Sequence, residues 1–146
     1  MATPLTLYVP IKQDAISQAA AKLVYESFAT ETHAGLDASE ILHYARVALV
    51  PNAAGTQGTL AILLVTTFDG AMNPYLSYFW NDDPSIKGAF QAIMDIALDP
   101  PSPPVTDLNG FQNFINANNL NQPADLYQAY PQSVLQIQAA FPPASY

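Results

Sequence analysis

The chain contains no cysteine, which removes disulfides, thiolate nucleophiles and cysteine-ligated metals from consideration. Basic residues are almost as scarce. Lys12, Lys22, Arg46 and Lys87 stand against 12 acidic residues, for a formal charge of −8. Four cations so widely scattered build no stripe along a phosphate backbone, so nucleic acid is not an expected partner. The same negative field opposes docking on an anionic membrane surface. Glycine is sparse, with six residues in all, and there is no glycine-rich phosphate loop, two-histidine metal helix or nucleophile elbow. The longest purely aliphatic stretch, Leu60 to Val65, is too short to span a bilayer. Met1 to Lys12 offers no basic segment followed by an apolar core of signal-peptide length, so the expected location is cytoplasmic.

What is present is a chain that can bury a core. Half of its 146 residues are apolar and 11% are charged, a balance that suits one folded domain over residues 1–146. Two apolar runs, Ile41 to Val50 and Leu60 to Phe68, flank the breaker segment Pro51 to Gly58. They are rich in β-branched residues and too short for membrane spans, so they read as an antiparallel pair of strands. Leu5 to Val9, ended by Pro10, reads as a first strand, and Asp125 to Tyr130, ended by Pro131, as a fourth.

Helices are expected between these strands. Asp14 precedes Ile16, Ala19, Ala20, Leu23, Val24 and Phe28 at three-and-four spacing, the pattern of a capped amphipathic helix. Thr30 to Glu40, with Gly35 and several polar residues, reads as a connection. Met72 to Trp80 reads as a short helix or an irregular lid. Asp83-Pro84 opens a firmer helix that ends at Asp99-Pro100, and Asp107 and Ser133 cap two more, the last terminated by Pro142-Pro143. Four prolines within Asp99 to Thr106 make that segment a stiff connector.

The two-residue period of the second strand places Ile41, His43, Ala45, Val47 and Leu49 on one face and Leu42, Tyr44, Arg46, Ala48 and Val50 on the other. Both faces are largely apolar. A sheet of this kind needs cover on each side, and a second copy of the chain is the simplest cover for the outer one.

Few residues suggest chemistry. His43 lies among apolar neighbours, where a hydrogen-bonded structural imidazole is the ordinary role and a ligand or acid–base role the alternative. Arg46 is the sole arginine, set in an apolar strand where an unpaired charge is costly. It either closes an ion pair, with Asp69 or Asp125 as candidate partners, or recognises a planar anion. Asp69-Gly70 has the chemistry of a turn. Tyr75, Tyr78, Phe79 and Trp80 form core or interface, or else line an apolar cavity. Glu31, His33 and Asp37 have metal-ligand character without a spacing that demands convergence.

The segments Leu5-Thr6-Leu7-Tyr8-Val9-Pro10-Ile11-Lys12, Leu42-His43-Tyr44-Ala45-Arg46-Val47, Thr67-Phe68-Asp69-Gly70 and Tyr127-Gln128-Ala129-Tyr130-Pro131 resemble those of a group of bacterial proteins in the dimeric α/β-barrel superfamily. The resemblance implies an α+β ferredoxin-like βαββαβ sandwich with a four-stranded antiparallel sheet, extra helices and a homodimer. It also implies a range of functions, from cofactor-free monooxygenases and haem-binding enzymes to small-molecule sensors, and fold cannot choose among them. The leading expectation is a protein that binds a small apolar or aromatic molecule between sheet and helices, without a cofactor. His43, Tyr44, Arg46 and Asp69 are its polar candidates, and Tyr78 and Trp80 its walls. A cofactor-free monooxygenase or haem-dependent oxidoreductase is the second reading, and a structural or partner-binding module the third.

Overall fold

The two apolar runs and the breaker between them do form the pair of strands that organises the molecule. The computed structural model describes residues 2–122 and 124–141. Strand β2 (Leu42–Pro51) runs antiparallel to β3 (Thr59–Asp69), with Val47 opposite Leu64 and Leu49 opposite Ile62. Strand β1 (Ala2–Pro10) pairs with the other edge of β3, setting Leu5, Leu7 and Val9 across from Thr66, Leu64 and Ile62. Because direct partners share a face, these residues form one continuous apolar surface. Leu5, Leu7, Val9, Ile62 and Phe68 on it are all but inaccessible to water. Each such side chain contributes on the order of 1.5–3 kcal/mol by burial.

Helices cover this inner face. Helix α1 (Ala15–Glu31) begins where expected, with the Asp14 carboxylate accepting from the amide and the hydroxyl of Ser17. Those two bonds hold the Asp14 carboxyl below its ordinary range. The buried side of α1 is rotated from the expected one: Ser17, Ala21 and Val24 face inward while Ile16 is 83% exposed. Apolar residues lie around much of α1, so spacing alone did not single out the packed side. Most of residues 30–40 is helical rather than a connection, since α1 runs through Glu31 and a short helix α2 (His33–Ala38) follows, with a turn at Ser39 and Glu40.

Helix α3 (Met72–Asn81) replaces the lid alternative. Helix α4 (Pro84–Ile96) starts on Asp83, whose Oδ1 accepts from Ile86 N at 2.9 Å, and α5 (Leu108–Asn118) starts on Asp107, which accepts from Gly110 N at 2.7 Å. Helix α6 (Val134–Ala140) opens with a capping box between Ser133 and Gln136. The stop expected at Pro142-Pro143 lies outside the described residues. No helix among the described residues is long and apolar enough to cross a membrane.

The sheet has three strands in the order β1-β3-β2, which overturns the four-stranded ferredoxin-like sandwich. Among the described residues the place beside β1 holds two isolated bridges and no strand: Leu7 with Asn119, supported by hydrogen bonds from Thr6 N to Asn119 Oδ1 and from Leu120 N to Thr6 O, and, at the strand's end, Ile11 with Ala97, where Leu98 N donates to Pro10 O. The chain then turns away. Asp125 accepts from Gln122 N at 2.8 Å and from the Asn121 side chain at 3.1 Å, and Ala124 takes a left-handed conformation with φ of 70°. Residues 125–130 therefore form no strand. The outer face carries Tyr44, Arg46 and Val65, all exposed, and half-buried Tyr8 and Leu63. Among the described residues no helical layer matches the one on the inner face.

Candidate functional site

Small side chains create the most prominent feature of the inner face. Helix α1 packs over β2 and β3 and α4 packs beside α1, yet Ala20 on α1, Ala45 on β2, and Gly88, Ala89 and Ala92 on α4 all stop short of filling the space between them. A Cβ placed on Gly88 would still meet nothing within 4 Å. The result is an open cleft of about 470 Å³. Val47 and Leu64 pave its floor, and Leu23, Phe28, Phe90 and Ile93 form its walls. Leu23, 65% exposed, and Phe28 account for apolar residues of α1 that the core itself does not absorb.

Polar groups in the cleft are few and nearly all occupied. At the floor the Tyr75 hydroxyl donates to Thr66 Oγ1 at 3.1 Å, and both side chains are buried. Burial pushes the Tyr75 hydroxyl well above the usual tyrosine range, so it stays a neutral donor. Three further hydroxyls donate to backbone carbonyls: Ser27 to Leu23 O at 2.8 Å, Ser85 to Glu31 O at 2.7 Å, and Thr32 to Phe28 O. None of them faces a base that would make it a nucleophile. The Glu31 carboxylate at the rim has no hydrogen-bond or ion-pair partner among the described residues.

A polar annex of about 180 Å³ shares Phe28, Leu36 and Ala45 with the cleft. It is lined by His33, Asp37, Leu42, His43 and Tyr44. Its geometry comes from a β-bulge. Leu42 pairs with Phe68 and Tyr44 with Thr67, leaving His43 as the extra residue and breaking the strand's period of two. The His43 imidazole donates from Nε2 to Asp69 Oδ1 at 2.9 Å, and Asp69 Oδ2 accepts from Val134 N at 2.7 Å. One carboxylate thus fastens both the bulge and the start of α6.

The residues singled out from the sequence divide accordingly. His43, Tyr44 and Asp69 gather at or beside the annex. Arg46 points to the outer face opposite Val65, exposed and without an ion pair among the described residues, and Asp69, four residues further along β3, pairs with His43 instead. Arg46→Met should therefore shift the unfolding free energy by less than about 0.5 kcal/mol. A loss above 1.5 kcal/mol in urea titration would reveal a partner.

Tyr78 is half-buried with its ring edge-on to Phe79 at 5.2 Å. Lost solvent first, then Asp83 and Asp82, raise its pKa. Trp80 stacks on Phe111 at 5.1 Å within the core. Neither lines the cleft, whereas Tyr75 and Phe79 of the same aromatic cluster do. The sequence reading missed the Thr66 floor and the run of small residues on α4. Gly88, Ala89 and Ala92 in an otherwise bulky helix were the available signal.

Glu31, His33 and Asp37 border cleft and annex without converging. Among the described residues no three His, Asp or Glu side chains gather closely enough to hold a metal ion. Haem is a poor fit to the cleft as well. Its lining contains no His, Cys or Met to ligate iron, and the Tyr75 hydroxyl is committed to Thr66. No family model, curated protein or solved structure matches the chain.

Proposed function

We propose that this protein binds a small, largely apolar or aromatic molecule in the cleft between α1, α4 and the sheet. The observation that carries the reading is an apolar space of about 470 Å³ held open by alanine and glycine on three elements. Unfilled apolar surface forgoes dispersion contacts, and each CH₂ group a ligand buries there is worth about 0.8 kcal/mol. The Thr66 hydroxyl, which accepts from Tyr75 and keeps its own proton, supplies the polar contact that orients such a ligand. The cleft's hydroxyls are bonded to carbonyls or to each other, which favours holding a molecule over attacking one.

Ala45→Leu tests the reading, since it projects a larger side chain from β2 into the cleft. A naphthyl probe whose emission shifts blue in apolar surroundings should bind the native protein. Its affinity should fall by at least about ten-fold in the variant, the equivalent of roughly 1.4 kcal/mol of lost contact, while the variant's circular dichroism stays native. Equal binding by both proteins, or no binding by the native one, removes this reading.

A further inference from the structure

We infer that the ligand of the cleft is an amphipathic amine, with its apolar body on Val47 and Leu64 and its protonated nitrogen at the mouth beside Glu31. The inference rests on the binding reading above and names the class of molecule.

The first observation is the charge of the lining. Glu31 in the cleft and Asp37 in the annex are its formally charged residues, and no Lys or Arg accompanies them. Neither carboxylate has a hydrogen-bond or ion-pair partner among the described residues. All four basic side chains are placed elsewhere. Lys22 pairs with Glu26 at 3.6 Å, Lys87 lies 4.2 Å over the Trp80 ring, Lys12 donates to the Asp95 carbonyl, and Arg46 stands on the outer face of the sheet.

The second observation is aromatic. Phe28 lies one helical turn before Glu31 on α1 and lines both cleft and annex. Phe79 and Phe90 add further rings to the cleft. Ring faces attract ammonium groups and repel carboxylates. The third is the whole chain, whose charge of −8 raises the local concentration of cations and depresses that of anions. A carboxylate ligand would have to approach Glu31 and Asp37 against all three effects. A neutral ligand would leave both carboxylates unused.

Three probes that share one apolar body separate these classes: naphthylethylamine, naphthylethanol and naphthylacetate, each titrated by its own fluorescence at pH 8 and low salt. The amine should bind at least about ten-fold more tightly than the acetate, with the alcohol between, and the gap should narrow several-fold in 0.5 M salt as screening sets in. Glu31→Gln should weaken the amine by about 3- to 5-fold, the span of one rim ion pair, and leave the alcohol within about two-fold. Glu26→Gln, which removes a charge of equal sign on the same helix away from the cleft, should change none of the three.

Acetate binding as tight as the amine overturns the inference while leaving the cleft reading intact. So does an equal effect of Glu31→Gln and Glu26→Gln, which would reduce the preference to non-specific attraction. Failure of all three probes to bind overturns the cleft reading itself, and the inference with it.

Discussion

Phe68→Ala is expected to lower the unfolding free energy by about 3 to 5 kcal/mol in urea titration. Phe68 has no exposed surface and sits on β3 opposite Thr3 of β1 and Leu42 of β2. Its ring stacks on Tyr75 with centroids 3.7 Å apart and an 8° interplanar angle, and Tyr75 meets Phe79 edge-on at 4.7 Å. Truncation leaves a void between sheet and α3 and strips the lower face of Tyr75, the residue that bonds Thr66 at the cleft floor. Against a total of about 5–15 kcal/mol for a domain, the loss is a large share. The melting temperature should fall on the order of 10 to 15 °C for a chain of this size. Phe68→Leu keeps most of the volume and forfeits mainly the stacking, so it should cost less than about 2 kcal/mol. A fall in melting temperature below 3 °C for the alanine variant would mean that the ring is not packed as described.

The contrast between what could be read from the sequence and what could not follows the range of the interactions. Asp14, Asp83, Asp107 and Ser133 each accept an amide three residues ahead, at Ser17, Ile86, Gly110 and Gln136. A cap of this kind is complete within one turn, so the residues themselves announce it. The same holds for β2 and β3, where composition and a breaker segment suffice.

The fourth strand fails for a longer-range reason. Asp125 to Tyr130 has acceptable strand composition, but the edge of β1 is met earlier, by Asn119 and Leu120, and the turn around Asp125 then leads the chain off. His43 is a similar case. Its side chain follows from a bulge that depends on the register with β3, which no count of period two along β2 can supply. The cleft was legible only as an expected location between sheet and helices. It is an absence of volume contributed jointly by Ala20, Ala45, Gly88, Ala89 and Ala92, and no one of these positions is informative alone.

Gly35→Ala is the second large effect, expected to cost about 2 to 3 kcal/mol. A Cβ at Gly35 would stand 1.6 Å from Asp83 Oδ2 and 2.7 Å from its Cγ, so one of the two must move. Asp83 is not free to do so. It is 8% exposed, and its Oδ1 caps α4 through Ile86 N. Displacing it costs the cap, about 1 kcal/mol, and disturbs a buried carboxylate. Shifting α2 instead would move Leu36, which lines the cleft, and His33 and Asp37, which line the annex. The two routes are separable. Replacing Asp83 with alanine removes both atoms that the new Cβ would meet, so Asp83→Ala alone should lose the cap, about 1 kcal/mol, and the double variant Gly35→Ala, Asp83→Ala should lose little beyond that. In a double-mutant cycle this appears as a coupling of at least about 1 kcal/mol. Additive losses would show that the close approach of α2 to the start of α4 is not what requires glycine at position 35.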